Sequence, residues 1–483
     1  MNPASRPNFL LIFADQWRSD CLGVLGHPTV ETPYLDHLAA EGVVFRHAYS
    51  ACPSCVAARA SMATGMTPSS HGRLGYRDRV PWRYEHTMMR CLRDAGYQTM
   101  NAGKTHFYPQ RNALGFEENR LYEPQTWDGV RQSDYHDWLA RETAGKVQDT
   151  VDVMSSNSWI VAPWVHEERL HPTCWNTDAA VALLDRRDPT RPFFLQVGYH
   201  RPHPPLDPPL RAYEMYADRP LPPVPVGDWA VANDRPVTDP DAAVGRIPAA
   251  ALDRARRAYY AQITHLDEQI GRLFWSMRQM GLLDETYIVF TSDHGELLGD
   301  HHTFRKVRAL EGSAGIPFIV RSPRGVAGVR GASLEAPVTH MDVMPTFLEA
   351  AGVPIPATVE GSSVLPLLRG DEIPWREFVH GEHSVCYGDV SCQFVTDGRE
   401  KLIWDMVTGR ELFFDLREDP DETVNRADDP THAKRVALWR ERLVSVLASR
   451  PQDGLTDGER LIPGRSTPAV RAELLVEHNE GDA

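Results

Sequence analysis

Cys55 and Arg59 stand four residues apart in Cys52-Pro53-Ser54-Cys55-Val56-Ala57-Ala58-Arg59-Ala60-Ser61-Met62-Ala63-Thr64-Gly65, which is one turn of a helix. Pro53 and Ser54 read as a helix approach and N-cap, the small residues that follow suit tight packing, and Gly65 ends the element. A thiol at a helix start faces unpaired backbone N–H groups, which favour a thiolate or a bound oxyanion that Arg59 can reach. The same stretch equally suits a small buried cysteine without chemistry. A second set, Asp15-Gln16 and Asp293-His294, offers two carboxylates, an amide oxygen and an imidazole. That is enough for an open divalent-metal site, whose oxygens favour calcium, magnesium or manganese while the imidazole moves the balance toward manganese.

These residues lie where apolar runs stop. Phe9–Phe13 reads as a strand covered on both faces and ends in Asp15-Gln16; Tyr97–Met100 delivers Lys104 and His106. Phe193–Val197 runs into His200, Arg201 and His203, and Tyr287–Phe290 runs into Asp293-His294. Helices are expected at 33–42 with Thr32 as cap, at 87–95, at 177–184 and at 252–280. Alternating strands and helices imply an α/β fold: a large, mostly parallel sheet sandwiched by helices, with ligands beyond the carboxyl ends of the strands. Residues 107–176 read as loop-rich, with Trp127, Tyr135, Trp138, Trp159, Trp164 and Trp175 mostly as packing, and the proline-dense 202–248 as an excursion shaping a site. Beyond about residue 374 short alternating segments and a helix near 433–447 imply a smaller antiparallel sheet plus helix. The expected division is a catalytic domain over 1–370 and a C-terminal α+β subdomain over 371–483, whose last twenty or so residues form a poorly ordered tail.

Composition narrows the function classes. At 483 residues and 42% hydrophobic the chain can bury a large core, and a net charge of −15 argues against broad nucleic-acid or membrane-surface binding. An anionic substrate would need a local positive pocket. Seven cysteines without repeating spacing make no disulfide framework, and the first apolar run is far too short for a signal-peptide core. A cytoplasmic location is the expectation.

Cys55-Val56-Ala57-Ala58-Arg59, with the following Ala60–Gly65 and His71-Gly72, resembles the signature of the type I sulfatases of the alkaline phosphatase superfamily, in which the cysteine is oxidised to formylglycine. Asp15-Gln16 and Asp293-His294 resemble the family's metal-binding pairs, commonly Asp-Asp and Asp-Asn; Gln and His there also resemble the related phosphonate monoester and phosphodiester hydrolases. Gly103-Lys104-Thr105-His106, the Pro202-His203 segment, Lys306, Glu311 and the Glu411–Glu422 region follow the family's course, whereas Arg201 and Arg305 read as solvated charges and His200 as a loop or core histidine. The resemblance implies hydrolysis of a small anionic sulfate monoester, one divalent metal (calcium foremost, manganese or magnesium otherwise) held by Asp15, Gln16, Cys55, Asp293 and His294, and a formylglycine-generating enzyme as maturation partner. It implies Arg59 beside the aldehyde hydrate made from Cys55, Lys104 and Lys306 on the sulfuryl oxygens, His203 as acid for the leaving group and His106 as base for sulfate release. Phosphonate monoester or phosphodiester hydrolysis, and a noncatalytic anion- or metal-binding relative, stand as alternatives.

Overall fold

Residues 6–126, 129–385 and 391–475 are described in the computed structural model of this chain; Trp127 lies outside them. The first strand, β1 (Asn8–Asp15), is buried along its whole length. Leu10, Ile12 and Ala14 enter one apolar layer and Phe9, Leu11 and Phe13 the other. The run is continuously apolar because successive side chains alternate between two covered faces. The other strands of its sheet are β2 (Val43–Phe45), β3 (Gln98–Gly103), β4 (Glu118–Leu121), β5 (Phe193–Pro202), β6 (Thr286–Ser292), β7 (Phe318–Arg321) and β8 (Ala332–Leu334), in the order β4-β3-β5-β1-β6-β7-β2-β8. Pairing is parallel from β3 through β5 and β1 to β6, and β7 runs antiparallel to both neighbours. The four strands whose ends carry Lys104, His200 and His203, Asp15, and Asp293 are therefore contiguous.

Helices α1 (Pro33–Glu41), α2 (Cys55–Thr64), α3 (Asp134–Thr143), α4 (Pro172–Asp185), α5 (Ala249–Gln279) and α6 (Val343–Ala351) lie in the same part of the chain. Residues of α1, α4 and α5 build one apolar layer, and those of α2 and α6 the other. Thr32 does not cap α1 with its side chain; Asp267 of α5 accepts from Tyr34 N and Leu35 N instead, at 3.0 and 2.8 Å. Helix α4 begins at Pro172, earlier than expected, because His171 Nδ1 accepts from Thr173 N while Pro172 fills the first helical position. Helix α3 interrupts the segment expected to be loops, and Tyr135, Trp164 and Trp175 pack there with Tyr122, Leu139 and Leu170.

The antiparallel sheet is β9 (Val379–His383), β10 (Cys392–Thr396), β11 (Glu400–Asp405) and β12 (Glu411–Asp415), paired in chain order and covered by α7 (Ala433–Ala448). Between it and residue 475 the chain stays packed: Leu74 N donates to Ala469 O, Arg471 N to Gly72 O, and Arg471 pairs with Asp453 at 2.6 Å. This corrects the expected tail as far as residue 475, since backbone hydrogen bonds hold the segment to the stretch after α2. Among the described residues no helix is long and apolar enough to cross a membrane.

Lys401 of β11 joins this sheet to the segment between β6 and β7. Its ammonium is fully buried and meets Glu311 at 2.5 Å, Glu422 at 3.0 Å and Ala309 O at 2.9 Å. Burial pushes Glu422 up to about 7, against the pull of Lys401. Replacing Lys401→Met strands two carboxylates and is expected to destabilise the fold by about 3–5 kcal/mol. The loss deepens with rising pH, because an unpaired buried carboxyl is tolerated protonated and must ionise as pH climbs through its raised pKa. Urea unfolding of wild type and variant at two pH values measures both effects.

Candidate active site

Asp15 leaves β1 and Asp293 follows β6, and both carboxylates are wholly buried. Arg59, one turn into α2, lies between them: Nη2 donates to Asp15 at 3.2 Å, Nε to Asp293 at 3.1 Å and Nη1 to Lys104 O at 3.2 Å. Its small helix neighbours, Ala57, Ala58 and Ala60, let α2 come close enough for this. Lys104 Nζ, from the end of β3, reaches Asp15 at 2.5 Å. Burial alone would raise the Asp15 pKa, but the charges of Lys104, Arg59 and Lys306 hold it well below the usual range. It is a carboxylate.

Cys55 Sγ sits 3.2 Å from His294 Nε2, 3.4 Å from Lys306 Nζ and 3.7 Å from Asp15 Oδ1. Ser54 is the N-cap, as expected, by backbone conformation; its hydroxyl is buried without a hydrogen-bond partner. His294 Nδ1 meets Gly295 O at 2.9 Å, so that nitrogen carries the proton and Nε2 turns a lone pair toward the sulfur. Donor atoms of Asp15, Cys55, Asp293 and His294 lie within 4.8 Å of one another. Gln16, in the left-handed region at φ 68, directs its amide oxygen to Lys306 Nζ at 2.7 Å, while Glu296 accepts from its amide nitrogen. Two carboxylates, an amide oxygen and an imidazole with an inward lone pair fit a divalent cation.

Lys306 is aimed by strained backbone. Val307 has φ 74, rarely tolerated by a β-branched residue, and its N–H is held by Pro53 O at 3.0 Å. Lys306 Nζ also donates to His203 Nε2 at 2.8 Å, while His203 Nδ1 donates to Pro204 O at 2.8 Å. Burial, then Lys306, keeps His203 well below its ordinary pKa, so it is neutral here. Arg201 and Arg305 are not solvated: both are buried, Arg201 forming a two-pronged pair with Asp207 at 2.7 and 2.6 Å, and Arg305 donating to Asp241 O. Arg201 also donates to His200 Nδ1, which places the His200 proton on Nε2, a buried donor without a protein partner.

Three acids escaped sequence reasoning. Asp78 accepts from His106 Nε2 at 3.1 Å; Glu123 accepts from Thr105 N and His106 N at 2.8 Å each, fixing the loop after β3; Glu296 sets the Gln16 amide. Burial and Lys104 push His106 down, but hydrogen bonds to Asp78 and Cys55 raise it to about 9. Around the Cys55 sulfur the site thus gathers three cations, Arg59, Lys104 and Lys306, against the two innermost carboxylates, with Asp78, Glu123 and Glu296 behind them. The buried ammonium groups of Lys104 and Lys306 are what an anion would meet.

A Sulfatase family profile matches residues 7–353, and the chain is 41% identical over 474 residues to the arylsulfatase of Clostridium perfringens, covering 95% of this chain and 98% of that one. The chain belongs to the sulfatase family. It is a sulfuric ester hydrolase. A second profile, the C-terminal part of N-sulphoglucosamine sulphohydrolase, matches residues 299–449 of this sulfatase. It is 29% identical to the multifunctional alkaline phosphatase superfamily protein PehA of Trinickia caryophylli, over 94% of this chain and 97% of that one. Among solved structures, the phosphonate monoester hydrolase of Agrobacterium radiobacter superposes with a TM-score of 0.77 at 25% identity, covering 95% of this sulfatase and all (100%) of that chain.

The histidine after the signature supports α2 from behind. His71 Nδ1 accepts from Arg73 N at 3.2 Å, so its Nε2 proton goes to Ser61 Oγ at 2.9 Å. Burial drives His71 down to about 3. The unfolded chain takes up this proton at about pH 6.5 and the native one does not until about 3. Stability therefore falls as pH drops through that window, by up to about 1.4 kcal/mol per pH unit from this group. Denaturant titrations of His71→Gln between those limits are expected to show a shallower acid slope than wild type.

Proposed function

We propose that this sulfatase hydrolyses sulfate monoesters with a formylglycine at position 55 as nucleophile and one divalent ion, calcium by the oxygen-rich donor set, bound by Asp15, Gln16, Asp293, His294 and residue 55. The convergence of the Cys55 sulfur, the metal donors and three cations carries this reading. The ion would supply Lewis-acid activation and neutralise charge on the substrate. Oxidised by a formylglycine-generating enzyme, residue 55 would present a hydrated aldehyde in place of the thiol.

The chain's own residues then divide the work. Arg59 holds the two carboxylates apart and charged, which keeps the cation donors in place. Lys104 and Lys306 bind sulfuryl oxygens. His200 offers its unpartnered Nε2–H as a further donor to the ester. His203 Nε2 is an acceptor for Lys306 in the free site, so its acid role requires Lys306 to turn to the substrate and Nε2 to gain a proton beside that anion. In its deprotonated form, whose population rises as pH climbs toward its raised pKa, His106, tied to Asp78, takes the hydroxyl proton of residue 55 and lets sulfate leave.

Gln16 and His294, with the likeness to the phosphonate monoester hydrolase, favour a second reading in which phosphonate monoesters are also cleaved. Lys104 and His106 favour the sulfate. Comparing kcat/KM for an aryl sulfate and an aryl phosphonate monoester on protein coexpressed with the maturation enzyme is expected to favour the sulfate; a preference for the phosphonate reverses the assignment. Peptide mass spectrometry across residue 55 should show loss of the thiol, and Cys55→Ala should lose activity by several orders of magnitude. An unmodified thiol and no hydrolysis would leave only a noncatalytic anion- or metal-binding protein. Asp78→Asn is expected to lower kcat about 10- to 100-fold and to move the ascending limb of the pH profile to lower pH, because it removes the partner that raises His106.

A further inference from the structure

A second cluster of metal-ligating side chains lies away from the catalytic centre, between the first turn of α4, the middle of α5 and the turn Glu168–Leu170. Cys174 Sγ is 3.5 Å from His265 Nε2, and His265 Nε2 is 3.3 Å from Glu168 Oε1. All three donor atoms lie within 4.8 Å of one another. A tetrahedral zinc ion with Zn–S of about 2.3 Å and Zn–N and Zn–O of about 2.0 Å has S···N and N···O edges of about 3.5 and 3.3 Å. The two separations in the protein are those edges.

We propose that Cys174, His265 and Glu168 form a second metal site, specific for a thiophilic divalent ion such as Zn2+, distinct from the oxygen-rich catalytic site. The thiolate and imidazole select zinc over calcium or magnesium. Glu168 is oriented by a two-pronged bond from Arg211, Nε to Oε2 at 2.7 Å and Nη2 to Oε1 at 2.6 Å. Arg211 is in turn paired with Glu268, Nη1 to Oε1 at 3.0 Å and Nη2 to Oε2 at 2.5 Å. This outer pair cancels the arginine charge and leaves the negative charge of Glu168 for the ion. Cys174 and His265 are 3% and 1% exposed, whereas the Glu168 side chain is 31% exposed, so the open fourth position and the path from solvent lie on its side. On binding, the Cys174 thiol releases its proton to solvent and the sulfur bonds the ion as thiolate; no electrons are transferred.

The test is Co2+ titration of chelator-stripped, full-length Cys55→Ala protein, whose catalytic centre holds no thiol. One equivalent of Co2+ is expected to give a sulfur-to-cobalt charge-transfer absorption that Zn2+ abolishes by displacement and that is missing in Cys55→Ala/Cys174→Ala. Glu168→Gln, a change at a partly exposed position, is expected to raise the Co2+ dissociation constant at least about 10-fold. Absence of the absorption in Cys55→Ala, or its survival without Cys174, overturns the proposal. Should Cys174→Ala fail to fold, an unchanged Co2+ affinity in Glu168→Gln overturns it equally, and leaves Cys174, His265 and Glu168 as a hydrogen-bonded row.

Discussion

Two wholly buried carboxylates, Asp15 and Asp293, are the constraint around which this molecule is arranged. An ionised carboxylate in a protein interior is costly unless cations and hydrogen bonds compensate it. Arg59 bonds both, and Lys104 bonds Asp15. Lys306, 3.4 Å from the Cys55 sulfur, adds a third cation beside them. The proposed binding of both a divalent cation and an anionic ester rests on this gathering of both signs of charge.

Meeting this constraint dictates much of the surrounding packing. Arg59 can lie between the carboxylates only if α2 approaches the strand ends closely, and the alanines beside it allow that. Lys306 enters from the opposite side on a loop that stores strain at Val307. A loop held that way needs anchors, and one is the buried Lys401 of the C-terminal sheet, which pairs directly with Glu311 and also with Glu422. The antiparallel sheet thus braces the loop that carries Lys306.

The site also joins features of two kinds of chemistry. Gln16 and His294 make the donor set less charged than one of four carboxylate or amide oxygens, while Lys104 and His106 crowd and charge the side of the pocket facing the end of β3. Sulfuryl and phosphoryl groups share shape and oxygen placement, so the proposed preference between the esters rests on these two sides of the pocket.

Much of this was legible in the chain. Apolar runs ending abruptly in Asp15, Lys104, His200 and Asp293 identify buried parallel strands with chemistry at their carboxyl ends, because local periodicity and strand burial are properties of short stretches. The Cys55–Arg59 spacing is local in the same sense. What only the tertiary structure decided is which strands are neighbours and which distant groups complete each side chain. Gln16 meets Lys306 across 290 positions and Glu296 across 280, and His106 meets Asp78 across 28. Arg201 and Arg305 look solvated in sequence because a charge carries no local mark of burial; in the fold the Asp207 carboxylate and the Asp241 carbonyl are their partners. The sequence alone determined the nucleophile candidate, the donor types and the strand ends. Their mutual geometry, the tautomers of His200, His203 and His294, and the Cys174–His265–Glu168 cluster came from folding, since hydrogen bonds between residues far apart in the chain have no signature within it.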